Sequence, residues 1–348
     1  MKKSFGLIGC CTAAAFMAFC ACACSGAPNI AGEDNGAQGD IVPSEEYPWI
    51  AEGENYQYDS VAEQGFCLTE DMPSSYFTLD RNTAGYALVR AQLREGAVVA
   101  PDSVRLEELV NYFSYDYPLP AEGEAVGVSA YLSDCPWNAE HRLMTLGIRS
   151  AQARTEGDAN YVLLVDVSGS MGNLVGGYEG MTRLDLVKYG AEKLVDALGE
   201  RDRLSIVTYA SGVRTVLEST AATEENKPAI RSALSHLTAY GSTSGSDGLE
   251  LAYAQAEANR AENGNNRVIL LTDGDFNVGI SDTARLTEFI QEKAQSGIAL
   301  SVVGVGLGNT RDDLMQTLAL NGNGNYSYID TQLEAEKVFT EELAGTLY

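Results

Sequence analysis

Histidine is almost missing from this chain: His141 and His236 are its only 2 copies, and neither stands beside a nucleophile motif. His236 falls in a helical pattern, so both read as structural or exposed, which leaves imidazole-based acid and base chemistry without residues. No Walker sequence occurs, and Gly304-Val-Gly306-Leu-Gly308 has its third glycine misplaced for a dinucleotide loop, so it reads as a strand-to-loop turn. No C-x-x-C pair lies outside the first residues, which removes metal–thiolate sites. Basic runs are lacking too: 23 Lys and Arg stand against 49 Asp and Glu, a formal net charge of −26. Nucleic acid is therefore excluded as a natural partner, and membrane contact beyond an anchor is disfavoured. The acidity suits solubility and cation attraction.

What is present begins with Lys2 and Lys3 before a small, apolar stretch over residues 5–22, the pattern of an export signal. The stretch lacks the uninterrupted bulky run of a spanning helix and ends in Cys20-Ala-Cys22-Ala-Cys24-Ser-Gly. A small residue before a cysteine is what a lipoprotein signal peptidase requires. The expectation is a lipoprotein signal over 1–23, with Cys24 as the lipidated residue and Cys22 next in order. This places the chain in a bacterial envelope, extracytoplasmic and held to a membrane by lipid alone. Cys67 and Cys135 then face an oxidising setting in which they either pair or remain free thiols.

Residues 24–54 are rich in Gly, Ala, Asp, Glu and Pro without periodicity and read as a flexible tether. Mixed signals over 55–150 suggest a small α+β domain, with strands at 76–79 and 126–132 and helices at 84–93 and 103–113. From 158 to 348 the pattern is regular. Near-continuous apolar runs at 161–167, 203–209, 267–272 and 298–305 read as strands buried on both faces. Helical periodicity falls between them, and Thr182-Arg-Leu-Asp185 resembles a capping box. Further strands are expected at 213–217 and 326–329, and helices at 228–237, 248–261, 283–295, 311–320 and 333–343. Such succession specifies a doubly wound, mostly parallel α/β sheet, Rossmann-like in layout, whose ligands sit at the carboxyl ends of the strands.

Three polar clusters fall at those ends. Asp166-Val-Ser168-Gly-Ser170 closes one strand, Gly241-Ser-Thr243-Ser-Gly245 precedes a helix, and Thr272-Asp273-Gly274 closes another strand. Together they offer oxygen only, which suits a hard cation: Mg2+ wants octahedral oxygen coordination at about 2.0–2.1 Å and keeps several waters. Asp273-x-Asp275-x-Asn277 begins like a calcium loop, but Val278 and Ala284 occupy its sixth and twelfth positions, so an EF-hand is rejected.

Asp166-x-Ser168-x-Ser170, then Thr243, then Asp273 resembles the metal-ion-dependent adhesion site of von Willebrand factor type A domains. The resemblance implies that Ser168, Ser170 and Thr243 ligate Mg2+ directly (Mn2+ or Ca2+ being possible substitutes). Asp166 and Asp273 act mainly through water, and one position stays open for a partner's carboxylate. Arg105-Leu-Glu-Glu-Leu-Val-Asn-Tyr-Phe113, Cys135-Pro-Trp-Asn138 and Gly322-Asn-Gly-Asn-Tyr326 are similar to a bacterial lipoprotein subfamily in which a dedicated N-terminal domain precedes the type A domain. The stretch 172–181 is longer than that subfamily usually shows. The resulting expectation is a non-enzymatic binding module for a carboxylate-bearing protein or surface polymer. The rival reading is an envelope scaffold whose metal is structural; a hydrolase is disfavoured because no general base stands beside the cluster.

Overall fold

A computed structural model describes residues 17–21 as backbone, together with 58, 65–76, 82–151, 158–176, 180–242, 246–274, 283–307 and 311–343. Antiparallel strands β1 (Met17–Ala21), β2 (Val126–Asp134) and β3 (Arg142–Ser150) form a small sheet in the order β1-β3-β2. A second sheet contains β4 (Ala159–Asp166), β5 (Arg203–Tyr209), β6 (Val213–Ala221), β7 (Asn265–Thr272), β8 (Ile298–Val305) and β9 (Tyr326–Ile329) in the order β6-β5-β4-β7-β8-β9. Only β6 runs antiparallel, as the hairpin partner of β5.

The apolar runs explain this order. Every residue of β4 is buried, because helices cover both faces of the sheet. Alternate side chains then serve opposite cores: Tyr161, Leu163 and Val165 point to one, Val162 and Leu164 to the other. The first core is closed by α3 (Arg183–Ala197), α4 (Lys227–Ser235) and α8 (Gln332–Lys337), through Leu186, Leu194, Ile230, Leu234, Ala335 and the following Phe339. The second is closed by α5 (Ser246–Ala258), α6 (Thr283–Gln295) and α7 (Asp312–Asn321), through Leu249, Ile290 and Leu318. Each of these leucine, isoleucine and phenylalanine side chains contributes about 1.5–3 kcal/mol relative to exposure. The capping box is formed: Thr182 Oγ1 accepts from the Asp185 N–H at 3.1 Å, and Asp185 Oδ2 accepts from the Thr182 N–H at 3.2 Å.

The N-terminal region joins this core. Helix α1 (Ala84–Glu95) buries Ala84, Ala87, Leu88 and Ala91 in the second core beside Tyr326 and Tyr328. The chain just before it covers the sheet edge: Asn82 Oδ1 accepts from the Tyr326 N–H at 2.8 Å, and the Thr83 N–H donates to the Tyr326 carbonyl at 3.3 Å. An edge strand left open would be a template for aggregation, and this segment occupies it. Helix α2 (Leu106–Asn111) is tied to α7 by a buried cluster. Arg105 bonds Glu108 and Asp312, with 2.6 Å to Asp312 Oδ2, and Glu108 Oε2 also accepts from the Gly85 N–H at 2.5 Å. Beside it, Arg90 bonds Asp330 and, at 2.9 Å, Glu334.

Several expectations are corrected. The helix over 103–113 shortens to 106–111, because Pro101–Ser103 forms a separate tight turn, with Ser103 Oγ donating to the Ala100 carbonyl at 2.7 Å, and Arg105 is extended. Strand β3 was not anticipated; its nine-residue register with β2 supplies the pairing that its Gly147-containing sequence does not advertise. The helix over 333–343 is α8 followed by the wider π turn Val338–Glu342. Tyr76 lies exposed outside any strand, and residues 77–79 lie outside the described residues. Met17–Ala21, within the expected leader, pairs with β3. Cys67 is exposed and Cys135 buried, and both are free thiols. Among the described residues, no helix is long and apolar enough to cross a membrane.

Candidate functional site

Parallel register sets the site. Asp166 ends β4 level with Tyr209 on β5, while Thr272 and Asp273 follow from the neighbouring β7. Asp166 is fully buried and its two oxygens are engaged separately. Oδ1 accepts from the Ser168 N–H at 2.8 Å, while Oδ2 accepts from Thr272 Oγ1 at 3.1 Å and from the Tyr209 hydroxyl at 3.3 Å. Past β4 the chain turns through a tight helical turn, Gly169–Gly172, which brings Ser168 Oγ and Ser170 Oγ to 3.0 Å from each other. Ser168 is buried and Ser170 half-buried.

A second loop docks on this turn. The Gly241 carbonyl accepts from the Gly169 N–H at 3.0 Å, and the Val167 carbonyl accepts from the Tyr240 N–H at 2.7 Å. Gly241 holds φ of 78°, a left-handed conformation that glycine adopts without strain, and an added Cβ would overlap Ser211 Oγ. The next residues lead to Thr243, which lies outside the described residues, as do Cys24, Asp275 and Asn277.

Asp273 is buried, and its Oδ2 accepts from Arg183 Nη1 at 2.7 Å. Arg183 also donates through Nη2 to the Leu307 carbonyl. Burial is the main cause that pushes the Asp166 carboxyl up to about 6; the Ser168 N–H lowers it and the nearby Asp273 charge adds to the rise. A carboxylate whose charge the protein leaves under-compensated, beside two convergent hydroxyls and a second acid, is a donor set that fits a hard divalent cation. The structure thus brings Asp166, Ser168, Ser170 and Asp273 to one rim of the sheet.

Tyr209 and Arg183 escaped the reading of the sequence, and Thr272, named there as part of a cluster, was given no part in holding Asp166. Tyr209 and Thr272 stand in ordinary strand ends, and only lateral register aims their hydroxyls at Asp166. Arg183 carried a faint signal: it is the first residue of α3, where the helix dipole disfavours a cation, so its presence there needs another reason.

These features define an α/β domain with an oxygen-donor cluster at the carboxyl edge of a doubly wound sheet. The family model for the von Willebrand factor type A domain matches residues 160–342, a little over half of the chain, and the chain belongs to that family. A second model, described as von Willebrand factor, matches residues 52–145. Domains of this type serve in general as interaction or adhesion modules.

The chain is 40% identical over 284 residues to uncharacterized protein YfbK of Escherichia coli (strain K12), covering 79% of this chain and 48% of that protein. It is 31% identical over 183 residues to uncharacterized protein sll0103 of Synechocystis, covering 52% of this chain and 40% of the relative. Similarity also extends to inter-alpha-trypsin inhibitor heavy chain H3 of Mesocricetus auratus, 29% over 198 residues, covering 54% of this chain and 21% of that one. The chain therefore spans about half or less of the length of these relatives. A solved structure described as conserved hypothetical protein BatB from Bacteroides thetaiotaomicron aligns with a TM-score of 0.45 at 21% identity, covering 54% of this chain and 98% of that one.

Proposed function

We propose that this protein is a lipid-anchored, extracytoplasmic binding module that holds one divalent cation, Mg2+ foremost, and through it takes a carboxylate of a protein or surface polymer. The carrying observation is the convergence of Asp166, Ser168, Ser170 and Asp273, from separate strands, at one rim. Ser168, Ser170 and Thr243 would hold the ion directly, Asp166 and Asp273 mainly through water. The chemistry supplied by the ion is Lewis-acid attraction for an anionic oxygen. This chain's own contribution is to keep the hydroxyls and carboxylates in place: Tyr209 and Thr272 fix one oxygen of Asp166, the Ser168 N–H the other, and the Gly169 turn sets the spacing of the two serines.

Screening confines long-range repulsion by the acidic surface to about 8 Å at physiological salt, so coordination at contact prevails over it. Capture of a carboxylate-bearing partner from envelope extract is expected to depend on Mg2+ and to be lost with Asp166→Ala. Equal recovery with and without chelator would remove the metal from the mechanism. The anchor at Cys24 is checked by fractionation. Cys24→Ser is expected to release the protein from membranes, and unchanged sedimentation with membrane would refute the lipid attachment.

A further inference from the structure

Arg183 stands at the site as a cation beside the carboxylates, without being a ligand for the ion. It opens α3, is 12% exposed in its side chain, and reaches away from its own helix to Asp273 Oδ2 at 2.7 Å and to the Leu307 carbonyl. Room for it is built in. Gly306, at φ of 76°, passes directly over the guanidinium, and a Cβ there would overlap it. The helix dipole opposes a cation at this first turn, and the capping box at Thr182 and Asp185 already satisfies the helix start, so the arginine is not needed for capping. Two-point donation through a planar fork is also something that lysine does not reproduce.

Charge counting then gives the residue its purpose. Asp166 and Asp273 alone would match the charge of a divalent ion and leave it neutral overall. Arg183, bonded to Asp273 in a poorly hydrated setting, cancels one of those charges. A nearby unit charge acts strongly where the effective dielectric is low.

Building on the metal reading above, we propose that Arg183 positions Asp273 and sets the charge of the site, weakening cation binding so that the bound ion retains positive charge for an external carboxylate. The prediction is a pair of opposite changes. Arg183→Gln tightens binding of Mn2+ about tenfold and weakens binding of acetate to the Mn2+-loaded protein by a similar factor. A purely structural arginine would move both affinities down together.

The test titrates Mn2+ into metal-free protein by calorimetry and then adds acetate, followed through water proton relaxation of the loaded protein. Arg183→Lys keeps the charge and loses the planar two-point fork, so its Mn2+ affinity is expected within about threefold of wild type; should Arg183→Gln fail to fold, a larger change in the lysine variant overturns the proposal. Unchanged or weakened Mn2+ affinity in a folded Arg183→Gln also overturns it. Wild type that binds no Mn2+ at all is a different outcome: it defeats the metal reading itself and the proposal with it.

Discussion

Arg105→Ala is expected to lower the free energy of unfolding by about 3–5 kcal/mol, because it strips a buried pair of acids of their cation. Arg105 is 7% exposed and lies between Glu108 and Asp312, both fully buried and both carried by helices far apart in the chain. Burial already pushes both carboxyls above their ordinary range, with Arg105 the largest opposing influence on each. Without the arginine the two acids face one another in a site closed to water. A carboxyl whose folded value is raised favours folding at low pH, and that contribution is lost as pH rises through the folded value. The deficit of the variant should therefore be largest at neutral pH and narrow as pH falls through the raised folded values of the two carboxyls. Urea unfolding at pH 7 and at pH 4 measures both. The same experiment reads the architecture: a midpoint indifferent to Arg105→Ala would mean that α2 does not share its stability with α7.

The second large effect concerns the cation. A ligand that binds only the folded state at a thousandfold excess over its Kd stabilises by about 4.1 kcal/mol, and at a hundredfold by about 2.7 kcal/mol. Mg2+ is expected to raise the thermal midpoint of the wild type by on the order of 5–10 °C at such excess. Asp166→Asn and Ser168→Ala should abolish most of that rise. In chelator the order should approach or cross, since burial opposes the charge of Asp166, while the amide oxygen keeps an acceptor for the Ser168 N–H and the amide NH2 donates to the Thr272 and Tyr209 hydroxyls, which then accept. Calorimetric scans with and without Mg2+ decide the matter. A Mg2+-dependent rise that survives in both variants would place the ion elsewhere.

Much of the fold was legible because its signals are local. Arg203–Tyr209, Ile298–Val305 and Tyr326–Ile329 have the bounds that their apolar runs announce, and Thr283–Gln295 ends where Gly297, at φ of 88°, stops it. Strand β3 and the short α2 were less legible, since a strand that contains glycine and a helix that follows a proline turn depend on partners rather than on their own pattern. The same holds for α1. Its sequence showed a helix, but not that Tyr326 and Tyr328 of the far edge strand would bury it.

By itself the sequence determined the succession of strands and helices from residue 158 onward, the acidity, and the oxygen-only character of the clusters at 166–170 and 272–273, because periodicity and side-chain chemistry are properties of short stretches. Only the tertiary structure decided that these clusters meet, that Tyr209 and Thr272 share one oxygen of Asp166, that Arg183 pairs with Asp273, and that helix α1 completes the second core. The reason is that lateral strand order and helix docking are set by contacts between residues tens to hundreds of positions apart, which no local pattern encodes.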